Sequence, residues 1–223
     1  MKNDLTILLP AHNEEVALGS LLDELKRNVN IPHDLIVVDN ASTDRTASIA
    51  LDGGARVLCV REKGKGNAIR SAIRTIDTPF VVMMNSDLTY PPMYVRLLYR
   101  QLKLGADVVI GCRAIVDKGA MPPLHSLGNW SLTMLASLLY GYALQDLCTG
   151  MWGFKTSVLN TFNLSSSGFT LEADLFTNAV KGGHELRQVP IGYRSRMNGD
   201  KPKLHVADGF KIGWFLLRTR FGR

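Results

Sequence analysis

The feature that most constrains this chain is an alternation repeated four times in its first 104 residues: a short apolar run, then a stretch with helical spacing of apolar positions. Residues 5–10 read as a buried strand, and 14–28 as a helix with Val16, Leu18, Leu21, Leu22 and Leu25 on its apolar stripe. The pattern returns at 35–39 and 44–51, at 56–60 and 66–76, and at 80–84 and 92–104. Such runs suit strands covered on both sides, so the expected class is α/β, a mostly parallel central sheet with helices on both faces. Ligands of such sheets bind beyond the carboxyl ends of the strands. Polar clusters stand at those ends: His12-Asn13-Glu14, Asp39-Asn40-Ala41-Ser42 and Asn85-Ser86-Asp87.

After a strand at 108–111 the periodicity weakens, leaving an apolar helix at 124–140 and another at 171–181. A length of 223 residues suits one domain. Its charge is lopsided: residues 181–223 carry ten Lys or Arg against three acids, on a body that is otherwise near neutral. A basic end implies an anionic partner. Nucleic acid is disfavoured, because acids stand at the strand ends and basic motifs interleaved with aromatics are absent. No signal peptide precedes the first strand, and 124–140 contains His125, Gly128 and Asn129, too polar and short for the ~20 apolar residues of a membrane span. Cys59, Cys112 and Cys148 form neither a CxxC pair nor an even set, so the cytoplasm is the expected compartment.

The strand-end motifs carry the chemistry. Pro10-Ala11-His12-Asn13-Glu14 lacks the GxGxxG turn of a dinucleotide fold, which disfavours a dehydrogenase. Asp39 follows Ile-Val-Val and must face a crevice or find a buried partner, whereas Ser42 or Asp44 either caps a helix or joins the site. Lys63-Gly64-Lys65-Gly66-Asn67 opens a helix with two lysines and free N–H groups, which fits a phosphate or a solvated basic turn. Asp87, in Asn85-Ser86-Asp87, either caps a turn or holds a divalent ion, since an ion bridging a diphosphate needs only one or two protein carboxylates. The run 146–154 reads as a tight turn packed by Trp152 and Phe154, with Asp146 and Thr149 as polar candidates. Glu172 and Asp174 fit first-turn charges of a helix, with Glu172 approaching the site as the alternative.

Taken in order, LLPAHNEE, VVDNASTDRT, KGKGNA, MNSDLTYPP, DLCTGMWGFK and VPIGYRSRMNGDKPKL resemble the family-2 glycosyltransferases, and within them the dolichyl- and polyprenyl-phosphate sugar synthases. The resemblance runs from about residue 8 to 204 and implies a GT-A fold. It implies a nucleotide-sugar-binding half (1–112), an acceptor half (113–203) and an amphipathic basic segment (204–223). It also implies that Pro10, Glu14 and Asp39, with Asn40, Ser42, Lys63, Asn85 and Ser86, serve the donor, and that Asp87 binds Mg²⁺ or Mn²⁺. Arg113, Arg196 and Lys203 would meet phosphates, Asp87, Arg196 and Lys203 would stabilise the transition state, and Asp146 and Thr149 would border the sugar. The family's metal motif usually reads Asp-x-Asp, and here Asn85 replaces the first acid.

The expected activity is inverting, metal-dependent transfer of a hexose or N-acetylhexosamine from a GDP- or UDP-sugar to dolichyl or polyprenyl phosphate. A soluble glycan or protein acceptor is the alternative. A lipid acceptor requires access to a bilayer: 124–140 and 210–221 place apolar residues beside Lys211, Arg218 and Arg220, as in helices lying on anionic lipid or against a membrane protein. The expected location is peripheral, on the cytoplasmic face of a membrane.

Overall fold

A computed structural model describes residues 3–197 and 206–222. The strands are β1 (Leu5–Ala11), β2 (His33–Asp39), β3 (Arg56–Cys59), β4 (Phe80–Met84), β5 (Val108–Val116), β6 (Met151–Lys155) and β7 (Leu186–Tyr193). The helices are α1 (Glu15–Asn28), α2 (Thr46–Asp52), α3 (Lys65–Ile73), α4 (Tyr94–Lys103), α5 (Pro123–Tyr140), α6 (Thr156–Leu159), α7 (Leu171–Lys181) and α8 (Val206–Phe221).

All seven strands form one sheet in the order β3-β2-β1-β4-β6-β5-β7, parallel except for β6, which runs antiparallel between β4 and β5. The alternation of side chains divides the core between the two faces. Leu5, Ile7 and Leu9 of β1, with Val82 and Met84 of β4, pack toward α1 and α4. Leu8, Val81 and Met83 pack on the opposite face toward α3, α7 and the inner residues Ile212 and Leu216 of α8. Helix α1 presents Leu18, Leu21, Leu22 and Leu25 to the sheet, the i, i+3, i+4, i+7 stripe expected from its sequence.

Strands β2 and β3 lie on one side of β1, and the chain then crosses to place β4 on the other. Such a reversal leaves a crevice above the carboxyl ends of β1 and β4, where helices diverge. The backbone is strained there. Asn13, Ala41 and Leu88 adopt left-handed φ of 52°, 55° and 60° just after β1, β2 and β4. For a residue as bulky as Leu88 this costs about 1–2 kcal/mol, which packing must offset.

Two expectations shift. The run 146–154 is no simple turn, because Met151–Lys155 is β6, with Trp152 and Phe154 fully buried in the sheet. Strand β5 continues to Val116, so the expected division at 112/113 falls inside a strand.

Candidate active site

A cavity of about 620 Å³ opens above β1 and β4. Pro10, Ala11, Asn85, Ser86 and Asp87 form its floor, and residues of α5 and α8 form a wall. The Ser86 hydroxyl donates to the Pro10 carbonyl at 2.7 Å, joining the two strand ends. Asp87 follows at the left-handed Leu88 turn. Its Oδ1 accepts from the Thr89 hydroxyl at 2.6 Å and the Thr89 N–H at 3.3 Å, which fixes the carboxylate plane. Its Oδ2 pairs with Arg196 Nη2 at 2.8 Å, with only 9% of the Asp87 side chain and 18% of Arg196 exposed. Arg196 follows β7, and its segment is anchored by Arg194, whose N–H donates to the Thr89 carbonyl and whose guanidinium grips Glu24.

Two further cations reach the cavity. Lys65 Nζ, at the start of α3, contacts Asn85 Oδ1 at 2.8 Å and Glu172 Oε1 at 2.5 Å. The Lys-Gly-Lys-Gly segment therefore contributes its second lysine, while Lys63 points to solvent and gives only its carbonyl, to Asn67. Its glycines answer to packing: a Cβ on Gly64 or Gly66 would fall about 2 Å from the carbonyls of Ser167 or Ser166. Arg113, on β5, lines the cavity, forks onto both oxygens of Asp146 at 2.7 Å and lies 5.2 Å above the Tyr193 ring. Burial opposes its charge, but Tyr90 and the Asp146 carboxylate outweigh burial and raise its pKa well above the usual arginine value.

The remaining expected residues divide. Glu14 and Asn40 line the cavity. Asn40 also ties down the 60–64 loop, donating to Glu62 O and accepting from Gly64 N. Asp39 sits apart, accepting from Ser42 N at 3.3 Å and lining a cleft with Ala41, Cys59, Val60 and Arg61. Ser42 is spent on the Asn13 N–H. Asp146 and Thr149 are not part of the cavity wall. Asp146 is consumed by Arg113 and Asn129, and the Thr149 hydroxyl donates to the Gly111 carbonyl. They position the wall instead of facing its contents. Lys203 lies outside the described residues.

Lys65, Asn129, Tyr90 and Glu172 are site residues that motif reading passed over or left unassigned. Asn129 donates to Asp146 and accepts from Cys148 N, and the buried Tyr90 hydroxyl accepts from Gly150 N. The Cys148 thiol, raised to about 12 by burial and then by the nearby Glu172 charge, stays protonated at neutral pH.

Among the described residues no three His, Cys, Asp or Glu cluster as a metal centre. The donor set nevertheless fits one kind of ion: a hard divalent cation that takes a single carboxylate, from Asp87, and completes its shell with water and phosphate oxygens.

Residues 6–162 match the model of Glycosyl transferase family 2. The chain is 34% identical over 217 residues to a dolichyl-phosphate hexose transferase of Haloferax volcanii, covering 97% of this chain and 94% of that protein. It is 30% identical over 206 residues to glycosyltransferase AglJ of the same organism, covering 91% and 67%. Among solved structures, glucosyl-3-phosphoglycerate synthase of Mycobacterium tuberculosis, in complex with Mn²⁺, UDP and glucosyl-3-phosphoglycerate, superposes with a TM-score of 0.80 at 23% identity, covering 99% and 80%. The GT-A fold implied by the sequence motifs is the fold observed.

Proposed function

Because the chain belongs to glycosyl transferase family 2 and is a glycosyltransferase, we propose that it moves one hexose from a nucleotide diphosphate sugar onto the phosphate of dolichyl or another polyprenyl phosphate. One observation carries this reading. One cavity is lined both by Asp87, Arg196, Arg113 and Lys65 and by an apolar wall from α5 and α8 that includes Leu124, Leu127, Leu132 and Ile212. A soluble sugar acceptor would have no use for such a wall.

In the reaction, an oxygen of the lipid phosphate attacks the anomeric carbon as the bond from that carbon to the diphosphate breaks, and the nucleoside diphosphate leaves with the electron pair. The configuration inverts. A phosphate monoester is already anionic near pH 7, with a second pKa of about 6, so the nucleophile needs positioning and no general base. Two anions must approach each other, and Arg113, Arg196 and Lys65 supply the positive field that lowers this repulsion and stabilises charge on the departing diphosphate. Mg²⁺ or Mn²⁺ bound at Asp87 would supply further charge at the diphosphate. Asn85, where the family's first acid usually lies, brings no second carboxylate and instead accepts from the Lys65 ammonium at 2.8 Å.

Exposed apolar residues on the same two helices support peripheral attachment to the cytoplasmic face of a membrane. No helix among the described residues is long and apolar enough to cross a bilayer. Trp130 and Leu138 of α5 and Phe210, Trp214 and Phe221 of α8 are each more than 60% exposed, and Lys211, Arg218 and Arg220 accompany them. Apolar side chains with adjacent bases suit an interfacial helix on anionic lipid.

The test offers labelled UDP- and GDP-hexoses, with Mg²⁺ or Mn²⁺ or a chelator, to dolichyl phosphate, undecaprenyl phosphate and water-soluble glycans. Metal-dependent label in the organic phase is expected. Transfer to the aqueous acceptors alone would establish the soluble-acceptor alternative instead.

A further inference from the structure

Helices α5 and α8 run side by side in the same direction. They touch where Gly213 faces Leu132 and Leu135, whose methyl carbons lie 3.7 and 3.9 Å from where a Gly213 Cβ would sit. Farther along, the Tyr140 hydroxyl donates to Leu216 O and Arg220 to Leu139 O. One turn earlier on each helix stands a further glycine, Gly128 on α5 and Gly209 on α8. At Gly128 and at Gly209 an added Cβ would meet nothing within 4 Å among the described residues, and both glycines line the cavity. The lining that α5 and α8 give the cavity, Leu124, Leu127, Leu132 and Ile212 with two glycines that carry no side chain, forms an apolar slot.

No positive φ requires glycine at either position, since neither falls among the left-handed residues. Glycine within a helix weakens it relative to alanine. What the two glycines supply is width.

We propose that Gly128 and Gly209 are specificity-determining residues that keep this slot wide enough for the methyl-branched isoprenoid chain of the acceptor. The inference rests on the proposed function. Its occupant is argued from the mixed lining of the same cavity: Arg113 and Arg196 suit a phosphate head, and Leu124, Leu127, Leu132 and Ile212 suit a hydrocarbon chain. A chain with a methyl branch every fourth carbon needs more room than a straight alkyl chain, and two absent side chains provide it.

The experiment compares kcat/KM of wild type, Gly128→Ala, Gly128→Leu and Gly209→Leu on a polyprenyl phosphate and on a straight-chain alkyl phosphate of equal length. Melting temperature and nucleotide-sugar binding are measured on every variant. Both leucine variants should lose about tenfold or more on the polyprenyl phosphate, mainly through KM, and far less on the alkyl phosphate. Gly128→Ala should show the same preference more weakly while melting no lower than wild type, which keeps the test valid if a leucine variant fails to fold. Wild-type kcat/KM on polyprenyl phosphate in these variants, or equal losses on both chains, would overturn the assignment. A wild-type enzyme inactive on every lipid phosphate would refute the proposed function itself, and this inference with it.

Discussion

The Arg113–Asp146 pair offers a prediction whose size follows from its surroundings. Only 9% and 6% of the two side chains are exposed, and the fork is completed by the Arg113 N–H and by Asn129, both donating to the same carboxylate. Removing one partner leaves a buried, uncompensated charge, at a cost of about 3–5 kcal/mol. For a chain of this length each kcal/mol lowers the melting temperature by roughly 2–4 °C, so Asp146→Asn or Arg113→Met should each melt about 6–20 °C below wild type. Combining Arg113→Met with Asp146→Asn removes both charges and leaves an amide oxygen for one of the remaining donors. The double variant should therefore be more stable than either single one. Activity should not follow stability, because the double variant still lacks the Arg113 cation on the cavity wall, and sugar transfer should stay about 100-fold or more below wild type. Thermal unfolding and initial rates on all four proteins complete the cycle. Strictly additive penalties, or transfer restored along with stability, would refute the reasoning.

Other expectations follow from single contacts. Arg196→Ala frees Oδ2 of Asp87, so Mn²⁺ titrated in the presence of nucleoside diphosphate should bind at lower concentration while transfer falls; an unchanged titration would mean that the pair does not compete with metal. With its thiol raised to about 12, Cys148 carries very little thiolate at pH 8, so a thiol reagent should label exposed Cys59 much faster than Cys148. The Asp107 carboxyl is held below its usual 3.8 by the hydrogen bond from Lys155 and then that from the Glu185 N–H. A depressed folded value means its contribution is fully present above about 3.8 and lost as pH falls through the lower folded value. Urea unfolding from pH 7 to 3 should show Asp107→Asn less stable at neutral pH, with a flatter dependence below pH 4.

What the sequence disclosed follows the reach of its signals. Strand β1 and helix α1 were legible because burial on two faces and a 3.6-residue stripe are local patterns, and the crevice at Pro10 and Asp87 followed from them. Strand β6 was not. Its first four residues are buried by pairing with β4 and β5, 40 or more residues away, and locally they resemble a packed turn. The choice between Lys63 and Lys65 depends on which lysine starts the helix and so projects over Asn85. Asp146 was expected beside the sugar from the family resemblance alone, and its partner, Arg113, is fixed only when β5 and the loop before β6 meet. Asp39 was expected to face the crevice or find a buried partner, and it lines the cleft shared with Arg61 and not the cavity of Asp87.

The central claim is that Asp87 serves a nucleotide-sugar diphosphate in the same cavity that receives a lipid phosphate. Asp87→Asn keeps an oxygen for Thr89 and the shape of the turn while removing the charge, so it tests that claim with little disturbance of the fold. Transfer of labelled hexose into the organic phase, measured with polyprenyl phosphate and Mn²⁺, should fall by about 100-fold or more with the melting temperature largely kept. Undiminished transfer by a folded Asp87→Asn protein would contradict the account.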